Sequence, residues 1–278
     1  MADLGGSVRG AVREGALSWT AVVMEPGRFL RHGGVPLLLA LALQLWIGVT
    51  DPIPADAMAE GGDPAMEAWV ARNVWFLLAW VIFSIWATIR LMVQTTRWAM
   101  TGEPGAGFLE PAFGASEFRY FGWSILVGLA TIPAVMLMSF IAMTLAGAGG
   151  VAFGVGSGGD AEAGGFGAGL MAVIGTLIGY AAVTFVLARL LPGLVPVAFG
   201  RPGALVESWR KSGAVAGYGA ALVYTVLAPV LLFSLLLSDG GMFTPAETLL
   251  TLIGYIAYAA LALAIVRFWY RAGEPGRE

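Results

Sequence analysis

Cysteine is absent from the 278 residues, and histidine occurs once, at His32. The first absence excludes disulfides, thiolate nucleophiles and cysteine-ligated metals. The second excludes a histidine-based metal centre, because one imidazole cannot supply the clustered ligands such a centre needs. Charge is scarce as well. Only 12% of residues are Asp, Glu, Lys or Arg, against about 25% in a water-soluble domain. So little charge cannot cover a surface that faces water on all sides. Lysine is nearly missing: Lys211 stands alone among 15 basic residues. With 40 glycines and abundant alanine, this arginine bias points to a high-GC bacterial genome.

What is present is apolar length. Hydrophobic residues make up 58% of the chain, and the mean hydropathy is +0.81. A bilayer core about 30 Å thick needs roughly 20 apolar residues in a helix, and only helices satisfy their own backbone within a single segment. Six stretches qualify, at about 33–50, 73–93, 121–147, 168–190, 213–237 and 248–268. The expected fold is all-α: a polytopic membrane protein with six transmembrane helices in three hairpins, joined by short cytoplasmic interfacial segments. Residues 1–32 form a cytoplasmic amphipathic segment, 33–270 the six-helix domain and 271–278 a cytoplasmic tail. The stretch before the first span is too long for an ordinary signal-peptide n-region, so that span is expected to be retained.

Orientation follows from the arginines. Every basic residue except Arg72 falls on one side of the six-span arrangement, the side of both termini. The opposite side carries Asp51, Asp56, Glu60, Asp63, Glu67, Asp160, Glu162, Asp239 and Glu247. The positive-inside rule then places both termini in the cytoplasm of a bacterium, with the protein in its inner membrane. Arg90, at the end of the second span, is expected to snorkel to the interface.

Three of the Pro-Gly pairs on the basic side stand beside a charged residue ahead of a span, in "MEPGRF" at 24–29, "TGEPGAGF" at 101–108 and "FGRPGALV" at 199–206. Each precedes an odd-numbered span. Proline removes a donor and glycine permits positive φ, so the pair stops or turns a helix. The mixed aromatic and arginine segments that follow suit helices lying in the headgroup layer. Pro133 and Pro229 then sit mid-span, 31 residues after Gly102 and 29 after Gly200. They are candidate helix-break positions, as in transporters built from repeats. The spacing fits either a true three-hairpin repeat or the ordinary frequency of Pro-Gly at membrane-helix ends. The glycine-rich stretch at 145–170 reads as a flexible linker.

Chemistry is sparse. No Asp or Glu lies within a span, so a carboxylate proton relay is not expected. His32 reads as an interfacial residue. The intramembrane polar residues Gln44, Asn73, Thr88, Thr131, Thr144, Thr176, Thr184, Tyr180, Tyr224 and Tyr255 read as interhelical hydrogen-bonding groups. Gly175 and Gly179, with Gly213 and Gly217, are candidate packing glycines, either between spans four and five or across a dimer face. Arg201, Trp209, Arg210 and Lys211 are the candidate contact for anionic lipid or a partner; they also fit a role in orientation alone.

Around that cluster, "FGRPGALVESWRKSGAVAGY" resembles a cytoplasmic pattern of the YciC-like group of six-span bacterial inner-membrane proteins. It is also similar to the membrane domain attached to some glycerophosphodiester phosphodiesterases. Ala204, Ser208, Trp209, Arg210, Ser212 and Gly213 carry the likeness. It implies an accessory or lipid-associated role and brings no catalytic residues. The expectation is a non-catalytic inner-membrane scaffold, assembly factor or complex subunit. It would contact membrane lipids and a protein partner or second copy, without cofactor, metal or nucleic acid. The alternative is a transporter or channel for a lipid or small neutral solute.

Overall fold

The computed structural model describes residues 4–53, 64–103, 105–110, 114–156, 161–203, 205–237 and 243–273. Asp56, Glu60, Asp63, Asp160, Asp239, Arg277, Pro104 and Ala204 lie outside the described residues. The elements are α1 (Leu4–Val23), α2 (Pro26–Thr50), α3 (Pro64–Thr101), α4 (Ala115–Gly156), α5 (Ala161–Leu190), α6 (Val195–Ala198), α7 (Leu205–Lys211), α8 (Ala216–Leu237) and α9 (Pro245–Gly273). Short 3-10 turns at Leu191–Leu194 and Ser212–Val215 lead into α6 and α8.

Helices α2, α3, α4, α5, α8 and α9 are each long and apolar enough to cross a membrane. The chain is an all-α polytopic membrane protein. Consecutive spans pack as the hairpins α2–α3, α4–α5 and α8–α9.

Helix α9 forms the centre. Over half of its apolar window is buried (56%), against 12% of that of α4. Composition explains this. Ala257, Ala259, Ala260, Ala262 and Ala264 are all buried, and small residues let neighbouring helices approach closely. Helices α1, α3 and α8 all pack on α9. Helix α1 seats against α8 and α9 and does not lie free in the headgroup layer. Trp19 Nε1 donates to Val226 O at 2.9 Å, and Arg267 Nη1 donates to Glu14 O at 3.2 Å. Gly15 permits this approach, since a Cβ there would meet Thr225 Cγ2 at 2.8 Å. A second core, at the acidic end, gathers Ile47, Trp69 and Phe243, with Trp80 edge-on to Phe243. The α4–α5 hairpin is apolar around its circumference and exposes Leu129, Met136, Phe140, Leu170 and Ile178, as a lipid-facing element should.

Several expectations change. The glycine-rich stretch is not a linker over most of its length: helix runs to Gly156 and resumes at Ala161. Glycine costs a helix about 1 kcal/mol relative to alanine. Here it is offset by closeness, because Gly149 sits against Gly167 and Met171 with no room for a Cβ. Helices α4 and α8 run on through Pro133 and Pro229, so neither proline breaks its span. The internal break falls instead at Gly34, where φ is 59° and ψ is −156° inside α2. It separates a short elbow, residues 26–33, from the span proper.

The Pro-Gly sites also divide. At the second and third, the glycine two residues before the proline ends the helix. Gly102 and Gly200 have φ of 72° and 73°. Gly200 N bonds Val197 O, and Arg201 N bonds Pro196 O, the paired bonds of a Schellman stop. At the first site Pro26 opens α2, where its missing N–H is not needed. After the second site, residues 105–110 form no helix and fold back onto α3.

Candidate functional site

Helix α3 carries Arg90, Gln94 and Arg97 at i, i+4 and i+7 near its C-terminal end. This spacing puts them on one face. Together they tie down the arginine-rich end of the bundle.

Arg90 is fully buried. It does not snorkel. Its Nε donates to His32 O at 3.0 Å, and its Nη2 donates to Gly107 O at 2.6 Å and weakly to Arg31 O at 3.4 Å. Its Nη1 donates to Glu110 O. The need for these donors is built into the sequence "HGGVP". In a continuous helix His32 O would accept from residue 36, but residue 36 is proline and has no N–H. The turn at Gly34 removes the neighbouring donors too, leaving carbonyls that carry the negative end of the elbow's dipole. The forked guanidinium fits several such acceptors at once. Gly34 must be glycine for two reasons. Its φ is positive, and a Cβ would meet Arg90 Cζ at 2.8 Å.

Gln94 Oε1 accepts from Ala106 N at 2.9 Å. Arg97 donates through Nε to Ala198 O and through Nη2 to Ser116 Oγ, both at 2.6 Å. Its Nη1 lies 3.4 Å from the buried carboxylate of Glu117. Glu117 in turn accepts from Gly114 N at 3.0 Å and Ser116 Oγ at 2.8 Å, which caps the start of α4.

Beside this latch opens a groove of about 450 Å³, lined by Glu25, Gly27, Arg28, Arg31, His32, Trp98 and Gly102. A smaller apolar recess continues it past Val22, Phe29, Ala259 and Leu263. The Arg28 guanidinium lies 4.0 Å from the Trp98 ring centroid and pairs with Glu25. Arg31 is exposed. His32 is buried; its Nδ1 is 3.1 Å from Thr95 Oγ1, and its Nε2 has no hydrogen-bond partner. Residue 32 precedes the Gly34 break and so lies outside the span. Burial first, then the cations of Arg28, Arg31 and Arg90, bring its pKa down to about 4, so the imidazole is neutral near pH 7.

The sequence-derived cluster is assembled differently. Trp209 and Arg189 form the contact, with the Arg189 guanidinium 4.2 Å from the ring centroid. Lys211 pairs with Glu207 at 2.5 Å within α7. Arg201 and Arg210 are exposed, and Arg119 Nη1 donates to Gly200 O at 2.5 Å beside Arg201. Of the candidate packing glycines, Gly175 and Gly179 are buried, whereas Gly213 and Gly217 are exposed, with open space beside Gly217. The glycines that do permit close approach there are Gly15 and Gly219, the latter against the Phe268 ring. Pro133 is exposed and Pro229 half-buried.

Most intramembrane hydroxyls turn inward on their own helices, as Thr88 does to Ser84 O, Thr131 to Gly128 O and Thr184 to Ala181 O. Gln44 Nε2 crosses between helices, to Thr251 Oγ1 at 3.0 Å. At the acidic end Arg72 and Asn73 both donate to Asp51.

The latch and the groove were not among the sequence-derived sites. The signals present were the i, i+4, i+7 polar spacing on α3 and a proline four residues after the lone histidine. No protein-family model, curated protein or solved structure matches the chain.

Proposed function

We propose that this chain is a non-catalytic protein of the bacterial inner membrane, with both termini in the cytoplasm, acting as a scaffold, assembly factor or subunit of a larger membrane complex. The use of the polar groups at the arginine-rich end carries this reading. Arg90, Gln94, Arg97 and Glu117 are committed to backbone carbonyls, backbone amides and one another. That arrangement holds helices together and presents neither a nucleophile nor a proton relay to a substrate. The arginine distribution supports the orientation.

Kinship with the YciC-like group belongs to the same proposal. It rests on the 204–213 pattern, in which Ser208 Oγ bonds Arg189 O at 2.8 Å and Ser212 Oγ bonds Ser208 O at 2.6 Å. Exposed Arg201 and Arg210 would add about 1 kcal/mol each toward anionic lipid.

Native mass spectrometry of the tagged chain, gently extracted from its own membrane at native expression, tests the reading. A stoichiometric protein partner or a defined homo-oligomer is expected; a lone chain in every preparation would overturn it. Transport of a lipid or neutral solute is the lesser reading, because α4 and α8 run unbroken through Pro133 and Pro229.

A further inference from the structure

The groove beside α3 has features that the scaffold reading does not use. Its floor holds His32, 2% exposed, with Nε2 unpartnered. When Thr95 Oγ1 donates to Nδ1, the imidazole proton sits on Nε2. A buried N–H is then left without an acceptor, a state that costs about 1–3 kcal/mol. The rim holds Arg31, exposed, and Arg28, whose guanidinium is fixed over Trp98. Arg90 lies immediately behind, bonded to the His32 carbonyl. Its hydrogen-bond acceptors are neutral carbonyls, and the carboxylates of Glu110 and Glu117, neither of which lines the groove, offset part of its charge. Within the groove lining one carboxylate opposes Arg28 and Arg31, that of Glu25, which pairs with Arg28. The walls continue into an apolar recess at Val22, Phe29 and Leu263.

We propose that this groove binds a phosphate-bearing anion, with Arg31 and Arg28 contacting the charged oxygens and His32 Nε2 donating to one of them. A phosphate oxygen supplies the acceptor that the buried N–H lacks. Arginine forks match phosphate geometry. Glu25 weakens the site in the absence of ligand and competes for Arg28. The same chemistry is offered by an anionic lipid headgroup and by a free phosphate or phosphate monoester. The apolar recess would take the first methylenes of the former. The site is separate from the Arg201–Lys211 cluster, and it stands whether or not the chain has a protein partner.

The test uses the full-length chain and two probes. In the first arm, native mass spectrometry in neutral detergent counts phosphatidylglycerol retained against phosphatidylcholine. In the second, calorimetry measures inorganic phosphate and glycerol 3-phosphate binding to the chain in zwitterionic nanodiscs. One equivalent of a phosphate anion is expected in at least one arm. Binding in the first arm only assigns a headgroup, and binding in the second assigns a soluble phosphate. Arg31→Ala, at an exposed position, is expected to weaken that equivalent about fivefold, and His32→Phe about tenfold. Glu25→Gln is expected to tighten it. An absence of saturable binding in both arms, or binding that Arg31→Ala and Glu25→Gln leave unchanged, would overturn the proposal.

Discussion

Replacing Arg90 by methionine keeps most of the side-chain volume and removes every donor. Four carbonyls lose a partner: Arg31, His32, Gly107 and Glu110. The Arg31 bond is long, and the Glu110 and Gly107 carbonyls lie in a loop that water can reach. The His32 carbonyl is buried and has no backbone alternative, because residue 36 is proline. Bonds to a charged donor contribute about 1.5–3 kcal/mol, and a stranded buried acceptor costs about 1–3 kcal/mol. Relief from burying a charge offsets part of the loss. A net destabilisation of about 3 kcal/mol results. At roughly 2–4 °C per kcal/mol for a chain near this size, the thermal midpoint in detergent should fall by about 6–12 °C. Arg90→Lys should recover only part of it, since an ammonium cannot fork between segments. Gly34→Ala provides the internal control. In the wild type it carries both a left-handed φ and a clash with the guanidinium. In the methionine background the clash is relaxed while the φ strain remains, so the two losses should fall short of additive. A methionine variant within about 2 °C of wild type, or strict additivity with Gly34→Ala, would refute the latch.

Other consequences are open to measurement. Hydrogen bonds from Arg72, then Asn73, hold the Asp51 carboxyl below the usual carboxylate range. Its contribution is therefore present above the unfolded pKa, about 4, and lost as pH falls through the folded value; the midpoint gap between wild type and Asp51→Asn should be constant from pH 8 to 5 and close at lower pH. His32 has the opposite requirement, because Arg28, Arg31 and Arg90 face it and it must stay neutral. With its pKa at about 4 when folded and 6.5 otherwise, the unfolded chain binds more protons between those values. Stability in phosphate-free buffer should decline from pH 6.5 toward 4, and His32→Gln should flatten that part of the profile. Gly48 abuts the Phe243 carbonyl with no room for a Cβ, whereas Gly217 has open space. Gly48→Ala should sharply reduce the yield of folded protein by size-exclusion chromatography, and Gly217→Ala should leave it near wild type.

The legible part of the site differs from the hidden part in a physical way. Apolar length is a local property, so six spans and three hairpins can be read from composition along the chain. Helix stops were half legible. Gly102 and Gly200 follow from the Pro-Gly punctuation, but the stop that shapes the site, at Gly34, lies in a run where Gly-Gly and proline could have meant only a ragged helix start. The Arg201–Lys211 cluster was visible because its residues are adjacent. Pairing of Lys211 with Glu207 is local to α7, whereas stacking of Trp209 under Arg189 depends on α5, from elsewhere in the chain. Arg90 reads from sequence as a residue snorkelling from the end of a span, because its acceptors are backbone carbonyls, which sequence does not display.

Sequence by itself determined that this chain is helical, that it crosses a membrane six times and where its arginines gather, since each follows from hydrophobic length and charge counted along the chain. Only the tertiary structure decided that α9 is the hub, that α1 closes over it, and that a buried arginine binds the carbonyls of a broken helix beside an arginine-lined groove. Those features depend on which backbone atoms are left without partners once the helices pack, and that is settled by contacts between segments far apart in the chain.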